Sequence, residues 1–287
     1  MSRRVGFIGL GNQGKPIAAH LAPSGFETLV YDIDPKPIAE LIQTGARSAK
    51  SPQEVGAGAD IVGICVPEDR HVQAVTLGEN GLLSGMQSGG VIAVHSTILP
   101  KTASELAEAA KPRGVTILDA CVTGGAARAT QKTLTYLVGG SAEALEKARP
   151  FLECSAERII HAGPVGSGAK LKLCINLITY IQWAAAFESA TLAKSAGLSL
   201  DVLQEAGKSN GQITPMMMAY MSSQDMPEEA RNNATYQRFM LNNTRIAEKD
   251  LAWALQLARQ GEVSLPVGGL VSQLMGKLYG LDDGPRA

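Results

Sequence analysis

Two short segments of the chain have the residue types and the spacing that chemistry needs. The first reads Gly9-Leu10-Gly11-Asn12-Gln13-Gly14 and directly follows the apolar run Val5–Ile8. Between a strand and a helix, Gly9 allows a tight turn, Gly11 lets a pyrophosphate approach the backbone, and Gly14 allows close helix–strand packing. The free N–H groups at the start of the helix would face the phosphates. These six residues therefore predict a dinucleotide-binding loop.

A carboxylate follows the next strand candidate, Glu27–Tyr31, at a position 18 residues after Gly14. Asp32 can accept hydrogen bonds from both ribose hydroxyls and would repel a 2′-phosphate. No arginine follows directly, although Lys36 is close. The residues favour NAD as the cofactor, with NADP possible. Two alternatives stay open, namely Asp34 as the ribose partner and Asp32 as a simple turn residue.

The second segment combines a lysine with an asparagine. Lys172 and Asn176 are four residues apart, just after Gly166-Ser167-Gly168, and therefore share one face of the helix predicted there. Apolar neighbours on both sides of Lys172 would partly desolvate its amine, lower its pKa and prepare it for proton transfer. Lys170 lies about two residues off the face that carries Asn176.

These segments need a scaffold, and the first half of the chain alternates β-rich with helical runs. Strands are predicted over Val5–Ile8, Glu27–Tyr31, Ile61–Val66, Val91–Val94, Val115–Leu118, Leu134–Val138 and Arg158–Ile160. Helices are predicted over Gln13–Ala22, Pro37–Thr44, Pro52–Ala57, Arg70–Leu77, Thr102–Lys111 and Ala142–Phe151. The alternation predicts an α/β protein with an N-terminal Rossmann-type, doubly wound, mainly parallel sheet.

The pattern changes near residue 162, after which no strand is predicted. Helices are expected over Ala169–Ala196, Leu200–Lys208, Pro215–Ser222, Thr235–Arg259 and Val267–Leu278. We therefore predict a dinucleotide-binding domain over 1–162 and an all-α substrate and dimerisation domain over 163–287, with a long interdomain helix. That helix is apolar on most sides, so we expect it to be buried against a second subunit.

Composition excludes several functional classes. Lys plus Arg number 26 and Asp plus Glu 27, so no nucleic-acid partner is expected. The most apolar stretch, Leu171–Phe187, contains Lys172, Asn176, Thr179 and Gln182, so no membrane span is expected. No signal-peptide pattern opens the chain, which favours a cytoplasmic location. The cysteines and histidines lack metal-ligand spacing, so no metal site is predicted.

Five motifs in order make the chain similar to the β-hydroxyacid dehydrogenase family, which includes 3-hydroxyisobutyrate dehydrogenase and tartronate semialdehyde reductase. They are the glycine loop, Ser96-Thr97-Ile98-Leu99-Pro100, Asp119–Gly125, Gly166–Asn176 and Lys249-Asp250-Leu251. The resemblance covers roughly residues 4–280. It implies an NAD(P)-dependent oxidoreductase that acts on a small β-hydroxy acid or the corresponding semialdehyde.

The resemblance also implies roles for individual residues. It makes Lys172, rather than Lys170, the catalytic general acid/base, and Asn176 a catalytic residue that orients the substrate. The remaining implied contacts are Thr123, Gly124 and Gly125 for the substrate carboxylate, and Val66, Pro67, Thr97 and Lys249 for the nicotinamide side.

The chain departs from the family pattern at three positions. Cys121 stands where proline is usual, Thr123 where serine is usual, and His95 where an acidic or small residue is common. These departures leave the exact substrate open. His95 is either a core histidine or a residue at the rim of the pocket.

The sequence disfavours three other functions. A catalytically silent NAD-binding module and an imine reductase-like enzyme are both disfavoured by Lys172. A decarboxylase of the 6-phosphogluconate type is disfavoured by Thr179, which stands where its acid is expected. The expected partners are a small carboxylate substrate and further copies of the chain, in a homodimer or homotetramer formed through the long helix and the C-terminal domain.

Overall fold

The computed structural model describes residues 4–223 and 226–281, without the side chain of Glu228. The chain divides into two compact units, Met1–Lys172 and Leu173–Ala287. The domain boundary at residue 162 stays a prediction, and the outermost residues of both predicted domains, 1–3 and 282–287, lie outside the described residues.

The first unit contains one eight-stranded sheet. Its strands are β1 (Arg4–Ile8), β2 (Glu27–Tyr31), β3 (Arg47–Ser48), β4 (Ile61–Ile64), β5 (Val91–Val94), β6 (Thr116–Thr123), β7 (Leu134–Gly139) and β8 (Ala156–Gly163). Their order is β3-β2-β1-β4-β5-β6-β7-β8, and all neighbours are parallel except β6 and β7. The connections reverse direction between β1 and β4, the switch point at which open α/β sheets bind ligands. The predicted fold class is confirmed.

Helices cover both faces of this sheet. They are α1 (Gly14–Ala18), α2 (Pro35–Ile42), α3 (Pro52–Gly58), α4 (Asp69–Leu77), α5 (Leu82–Gly85), α6 (Pro100–Ala110), α7 (Gly125–Thr130) and α8 (Ala142–Leu152). Alternate residues of β5 enter different cores, with Val91 and Ala93 in one and Ile92 and Val94 in the other. A strand that is buried on both faces needs such a continuous apolar run.

Some elements differ from their predictions. β6 continues through Asp119 to Thr123, although a stop was predicted at Leu118, because these five residues pair with β7 and all except the half-buried Thr123 are buried. β3 was not predicted, since two exposed polar residues carry no strand pattern. The short helices α5 and α7 were not predicted either.

The second unit is helical throughout its described residues. The long helix α9 (Ser167–Ser195) contains the division between the units, and α10 (Leu200–Ser209), α11 (Pro215–Ser223), α12 (Glu228–Arg231), α13 (Ala234–Gln260), α14 (Pro266–Ser272) and α15 (Met275–Leu278) follow. One helix was predicted over Val267–Leu278. It is broken because the N–H groups of Gln273 and Leu274 turn back to carbonyls only three residues earlier.

Two apolar clusters form the core of the second unit. Tyr180, Leu251 and Met275 belong to one, and Ala186 and Met221 to the other. The long helix is not covered on every side within a single chain, since Ile178 is 52% and Leu192 69% exposed. Among the described helices, none has the combined length and apolarity that crossing a bilayer requires.

Candidate active site

The glycine loop lies at the switch point of the sheet. Gly9 has a φ of 89°, and its N–H donates to the Tyr31 carbonyl at 3.1 Å. A Cβ on Gly9 would clash with the Cys65 carbonyl oxygen, and one on Gly14 with the carbonyl of Gly9. A Cβ on Gly11 would meet no atom within 4 Å. Close packing therefore requires glycine at positions 9 and 14. Gly11 leaves the backbone open to the approach of a pyrophosphate.

Asp32 ends β2 and touches this loop. Its Oδ2 accepts the N–H of Leu10 at 2.5 Å, and its Oδ1 accepts the N–H of Asp34 at 2.8 Å. Asp34 is occupied in another way, because its side chain caps α2 by accepting the N–H of Lys36 at 2.9 Å. Asp32 is therefore the carboxylate beside the glycine loop. Asn12 is exposed and Gln13 half-buried in the same loop.

Hydrogen bonds join the loops that follow β4 and β5. The N–H of Val66 donates to Ser96 Oγ at 2.8 Å, and the N–H of Leu99 donates to Asp69 Oδ1 at 2.9 Å. Val66-Pro67 and Thr97 lie in these two loops. Ser96 and Asp69 were not predicted as site residues, although Ser96 stands within a motif. The bonds fix the spacing of the two loops at the carboxyl ends of their strands.

The predicted substrate segment closes β6 and opens α7. Thr123 is the last residue of β6, and Gly124 and Gly125 have φ values of 124° and 72°. A Cβ on Gly125 would meet no atom within 4 Å, so its backbone is open to a ligand. Arg128 lies one turn later and pairs with Glu157 at 2.5 Å. At the departure site, the Cys121 thiol is buried and donates to the Ser96 carbonyl at 3.4 Å.

The start of α9 is held by a carboxylate that was not predicted as a site residue. Asp119 on β6 accepts the N–H of Gly166 at 2.7 Å and that of Ala169 at 2.8 Å. One turn after Ala169, Lys172 is half-buried, whereas Lys170 is exposed. The choice of Lys172 over Lys170 as the catalytic residue stays a prediction.

In the second unit, Asn176 belongs to a buried polar cluster. Its Nδ2 donates to Asp250 Oδ2 at 2.6 Å, and the Tyr180 hydroxyl donates to the same oxygen at 3.3 Å. Lys249 Nζ lies 3.3 Å from Asp250 Oδ1 and 4.3 Å from the ring centroid of Trp253. Burial, followed by the charge of Asp250, holds the pKa of Tyr180 well above its usual value.

The structure thus brings two predicted residues, Asn176 and Lys249, together through a third that was not predicted in this role. Asp250 stands within the predicted Lys-Asp-Leu motif, and Tyr180 is four residues beyond Asn176 on α9. Both signals were present in the sequence. The pairing of α9 with α13, which brings these residues together, could not be predicted from the sequence.

His95 is a core histidine, so a place at the pocket rim is wrong. It is 2% exposed, its Nδ1 lies 2.9 Å from the Ala120 carbonyl oxygen, and its ring stacks against Phe7 and Phe151, which also contact each other. Burial lowers its pKa to about 4. Within residues 4–223 and 226–281, no group of three or more His, Cys, Asp or Glu residues could hold a metal ion.

Known proteins resemble both halves of the chain. Residues 4–163 match the family model for the NAD binding domain of 6-phosphogluconate dehydrogenase. Residues 166–284 match the model described as NAD-binding of NADP-dependent 3-hydroxyisobutyrate dehydrogenase. A 3-hydroxyisobutyrate dehydrogenase of Pseudomonas aeruginosa is 36% identical over 94% of this chain and 90% of its own length.

Solved structures agree with these matches. A 3-hydroxyisobutyrate dehydrogenase of Mycobacterium tuberculosis, solved with L-serine, has a TM-score of 0.81 and 27% identity, over 98% of this chain and 94% of its own. An imine reductase of a Pseudomonas species has a TM-score of 0.65 over 98% of this chain and 96% of its own, but 18% identity, and so shares the fold alone.

These matches confirm the predicted enzyme over the silent module. The chain belongs to the β-hydroxyacid dehydrogenase family and is an NAD(P)-dependent oxidoreductase of hydroxy acids.

Proposed function

We propose that this enzyme oxidises the hydroxyl-bearing carbon of a small β-hydroxy acid, or reduces the corresponding semialdehyde, with Lys172 as general acid/base. The observation that carries the proposal is the hydrogen bond between Asn176 and the buried Asp250. Asn176 lies four residues beyond Lys172 on α9. A carboxylate only accepts hydrogen bonds, so the amide NH2 of Asn176 faces Asp250. The second N–H of the same NH2 group then remains to donate to the substrate oxygen whose proton Lys172 moves.

Each residue has a distinct task in this reaction. Lys172 takes the hydroxyl proton during oxidation and returns it during reduction. The Thr123 hydroxyl and the N–H groups of Gly124 and Gly125 hold the substrate carboxylate. The nicotinamide, when bound, exchanges hydride with the substrate carbon.

The cofactor would be held by the glycine loop, by Asp32, by the loops that follow β4 and β5, and by Lys249. The glycine loop Gly9–Gly14 would bind the pyrophosphate and Asp32 the adenosine ribose. Val66, Pro67, Thr97 and Lys249 would flank the nicotinamide. Asp32 and the 93% exposed Ile33 beside it support NAD over NADP, since neither would bind a 2′-phosphate.

The substrate we propose is a monocarboxylate. Arg128, the arginine nearest to Thr123 in the described segment, is paired with Glu157 at 2.5 Å. A second acidic group on the substrate would therefore find no uncommitted guanidinium in this segment. 3-Hydroxyisobutyrate, glycerate and serine-like acids fit this description, and the M. tuberculosis relative was solved with L-serine.

A panel of these acids, with NAD and NADP compared, tests the proposal through the absorbance of the reduced cofactor. Lys172→Ala should lower turnover by about 10²–10⁴-fold and leave NAD binding intact. Lys170→Ala is the matched control, because Lys170 is exposed in the same turn and should be silent. Near-normal turnover in Lys172→Ala would refute the role.

We further propose a homodimer or homotetramer, formed through α9 and the C-terminal domain 163–287. The exposed apolar side chains of Ile178 and Leu192 on α9, and of Val267 and Leu270 on α14, support this. Sedimentation that gives only monomer at micromolar concentration would contradict it. All four cysteines, which lie within the described residues, are thiols outside any disulfide, and this supports a cytoplasmic location, where thiols stay reduced.

A further inference from the structure

Asp119 is a carboxylate buried in the middle of the sheet. It is 0% exposed and stands on β6 between Val94 of β5 and Gly139 of β7. Burial raises its pKa, and hydrogen bonds from the backbone N–H groups of Gly166 and Ala169 oppose that rise. Among the described residues, no lysine, arginine or histidine side chain pairs with it, so peptide groups compensate its charge.

Two glycines make room for this arrangement. A Cβ on Gly139 would stand 2.6 and 2.7 Å from the two carboxylate oxygens of Asp119. A Cβ on Gly168 would clash with the Asp119 carbonyl oxygen and stand 2.5 Å from that of Leu137. β6, β7 and the start of α9 therefore meet in direct contact, with no room for a side chain at Gly139 or Gly168.

This contact joins two elements of the proposed active site. Thr123 lies four residues beyond Asp119 on the same strand, so both side chains point to one face of β6. Lys172 lies three residues beyond Ala169 on α9, a rise of about 4.5 Å. One carboxylate thus fixes the strand that ends in the substrate segment against the first turn of α9, and the amine of Lys172 is carried by the next turn.

We propose that Asp119 is a positioning residue for Lys172, which it holds in register with Thr123 by binding the first turn of α9. The inference rests on the proposed role of Lys172. A carboxylate that only stabilised the fold would affect the fraction of folded enzyme, whereas a positioning carboxylate affects the rate of the chemical step in folded enzyme.

Asp119→Asn tests this in the full-length enzyme, because an amide keeps the shape but offers a donor to one of the two N–H groups. We expect kcat to fall by about 10–100-fold per folded active site, since a misplaced group costs this much. The KM for NAD should stay unchanged, and the primary deuterium isotope effect should rise. Tyr136→Phe is the matched control, because it removes a buried 2.8 Å bond to Ser155 in the same sheet without touching α9.

Tyr136→Phe should lower stability and leave kcat unchanged. An Asp119→Asn enzyme with the kcat and isotope effect of the wild type would overturn the inference. If Asp119→Asn does not fold, amide hydrogen exchange of the wild type decides. Slow exchange at Gly166 and Ala169 is expected, and exchange as fast as in an exposed loop would overturn the proposed hold on α9.

Lys172→Ala, measured in parallel, separates the two proposals. Full turnover in Lys172→Ala would contradict the proposed function. An inactive Lys172→Ala beside a fully active Asp119→Asn would contradict the positioning role alone. The hydrogen-exchange measurement needs no substrate, so it tests the hold of Asp119 on α9 whether or not Lys172→Ala is active.

Discussion

Among the described residues, each of the two units has one buried carboxylate, and the two carboxylates accept hydrogen bonds from different kinds of group. Asp119 in the sheet unit accepts the backbone N–H groups of Gly166 and Ala169. Asp250 in the helical unit accepts side-chain groups, with the Asn176 amide at 2.6 Å as its shortest bond. Asp119 is 0% and Asp250 2% exposed, so water replaces neither set of partners.

The difference determines which of these hydrogen bonds a single substitution can remove. Backbone donors are fixed by the path of the chain, so no substitution at Gly166 or Ala169 other than proline removes them. Asp250 depends on Asn176, Tyr180 and Lys249, and each can be replaced alone. The helical unit therefore offers a site that single substitutions can adjust, whereas the sheet unit offers a rigid one.

Asp250→Ala should have the largest effect on stability. It leaves the buried Asn176 amide and the Lys249 ammonium without their shared partner. Loss of one member of a buried ion pair costs about 3–5 kcal/mol, and we expect about 3 because Lys249 keeps 17% exposure. Urea unfolding measures the loss, and kcat should fall as Asn176 loses its orientation.

Asp250→Asn is the matched variant, since it keeps an acceptor for Asn176 and removes the charge. It should lie between wild type and Asp250→Ala in both measurements. A loss of less than about 1 kcal/mol in Asp250→Ala would place the cluster among weak surface pairs and remove the contrast with Asp119.

The same contrast explains how much the sequence predicted. The glycine loop, Asp32 and the start of α9 are encoded by spacing over a few residues, and these were predicted at their positions. The bonds of Asp119 to Gly166 and Ala169 span 47 and 50 residues, and the bond of Asn176 to Asp250 spans 74. No local pattern specifies such pairs, because they depend on how distant elements pack.

His95 gives an expected effect of similar size and extends the comparison to a buried base. Its pKa falls from 6.5 to about 4 because burial disfavours the charged ring. The unfolded chain therefore binds the proton more tightly than the native state between these values. Stability should drop as pH falls from 6.5 to 4, by about 3 kcal/mol at 1.36 kcal/mol per pKa unit.

His95→Phe keeps a ring packed against Phe7 and Phe151 and removes the titration. Its unfolding free energy should be lower at neutral pH, because the contact with the Ala120 carbonyl is lost, but flatter between pH 6.5 and 4. Parallel curves for wild type and variant would show that His95 does not titrate in this range.

Asp119 should show the opposite sign with a smaller effect. Burial raises its pKa above the usual 3.8, so the native state binds the proton more tightly than the unfolded chain. The contribution of Asp119 to stability is therefore full below 3.8 and is lost as pH rises through the raised value. Asp119→Asn lacks this dependence, so its deficit against wild type should be larger at pH 4 than at pH 7 in urea unfolding.

Tyr180→Phe should have the smallest effect. It is the sharpest test of whether the hydrogen bonds to Asp250 act independently of one another. The Tyr180 hydroxyl donates to Asp250 Oδ2 at 3.3 Å, longer than the 2.6 Å bond from Asn176 to the same oxygen. Its removal leaves Asp250 with Asn176 and Lys249, so we expect a loss of about 0.5–1.5 kcal/mol in urea unfolding. Turnover should change little, because the short bond orients Asn176. If Tyr180→Phe reduced kcat as strongly as Asn176→Ala, the hydroxyl would orient the amide through Asp250, and the cluster would act as one unit rather than as separable bonds.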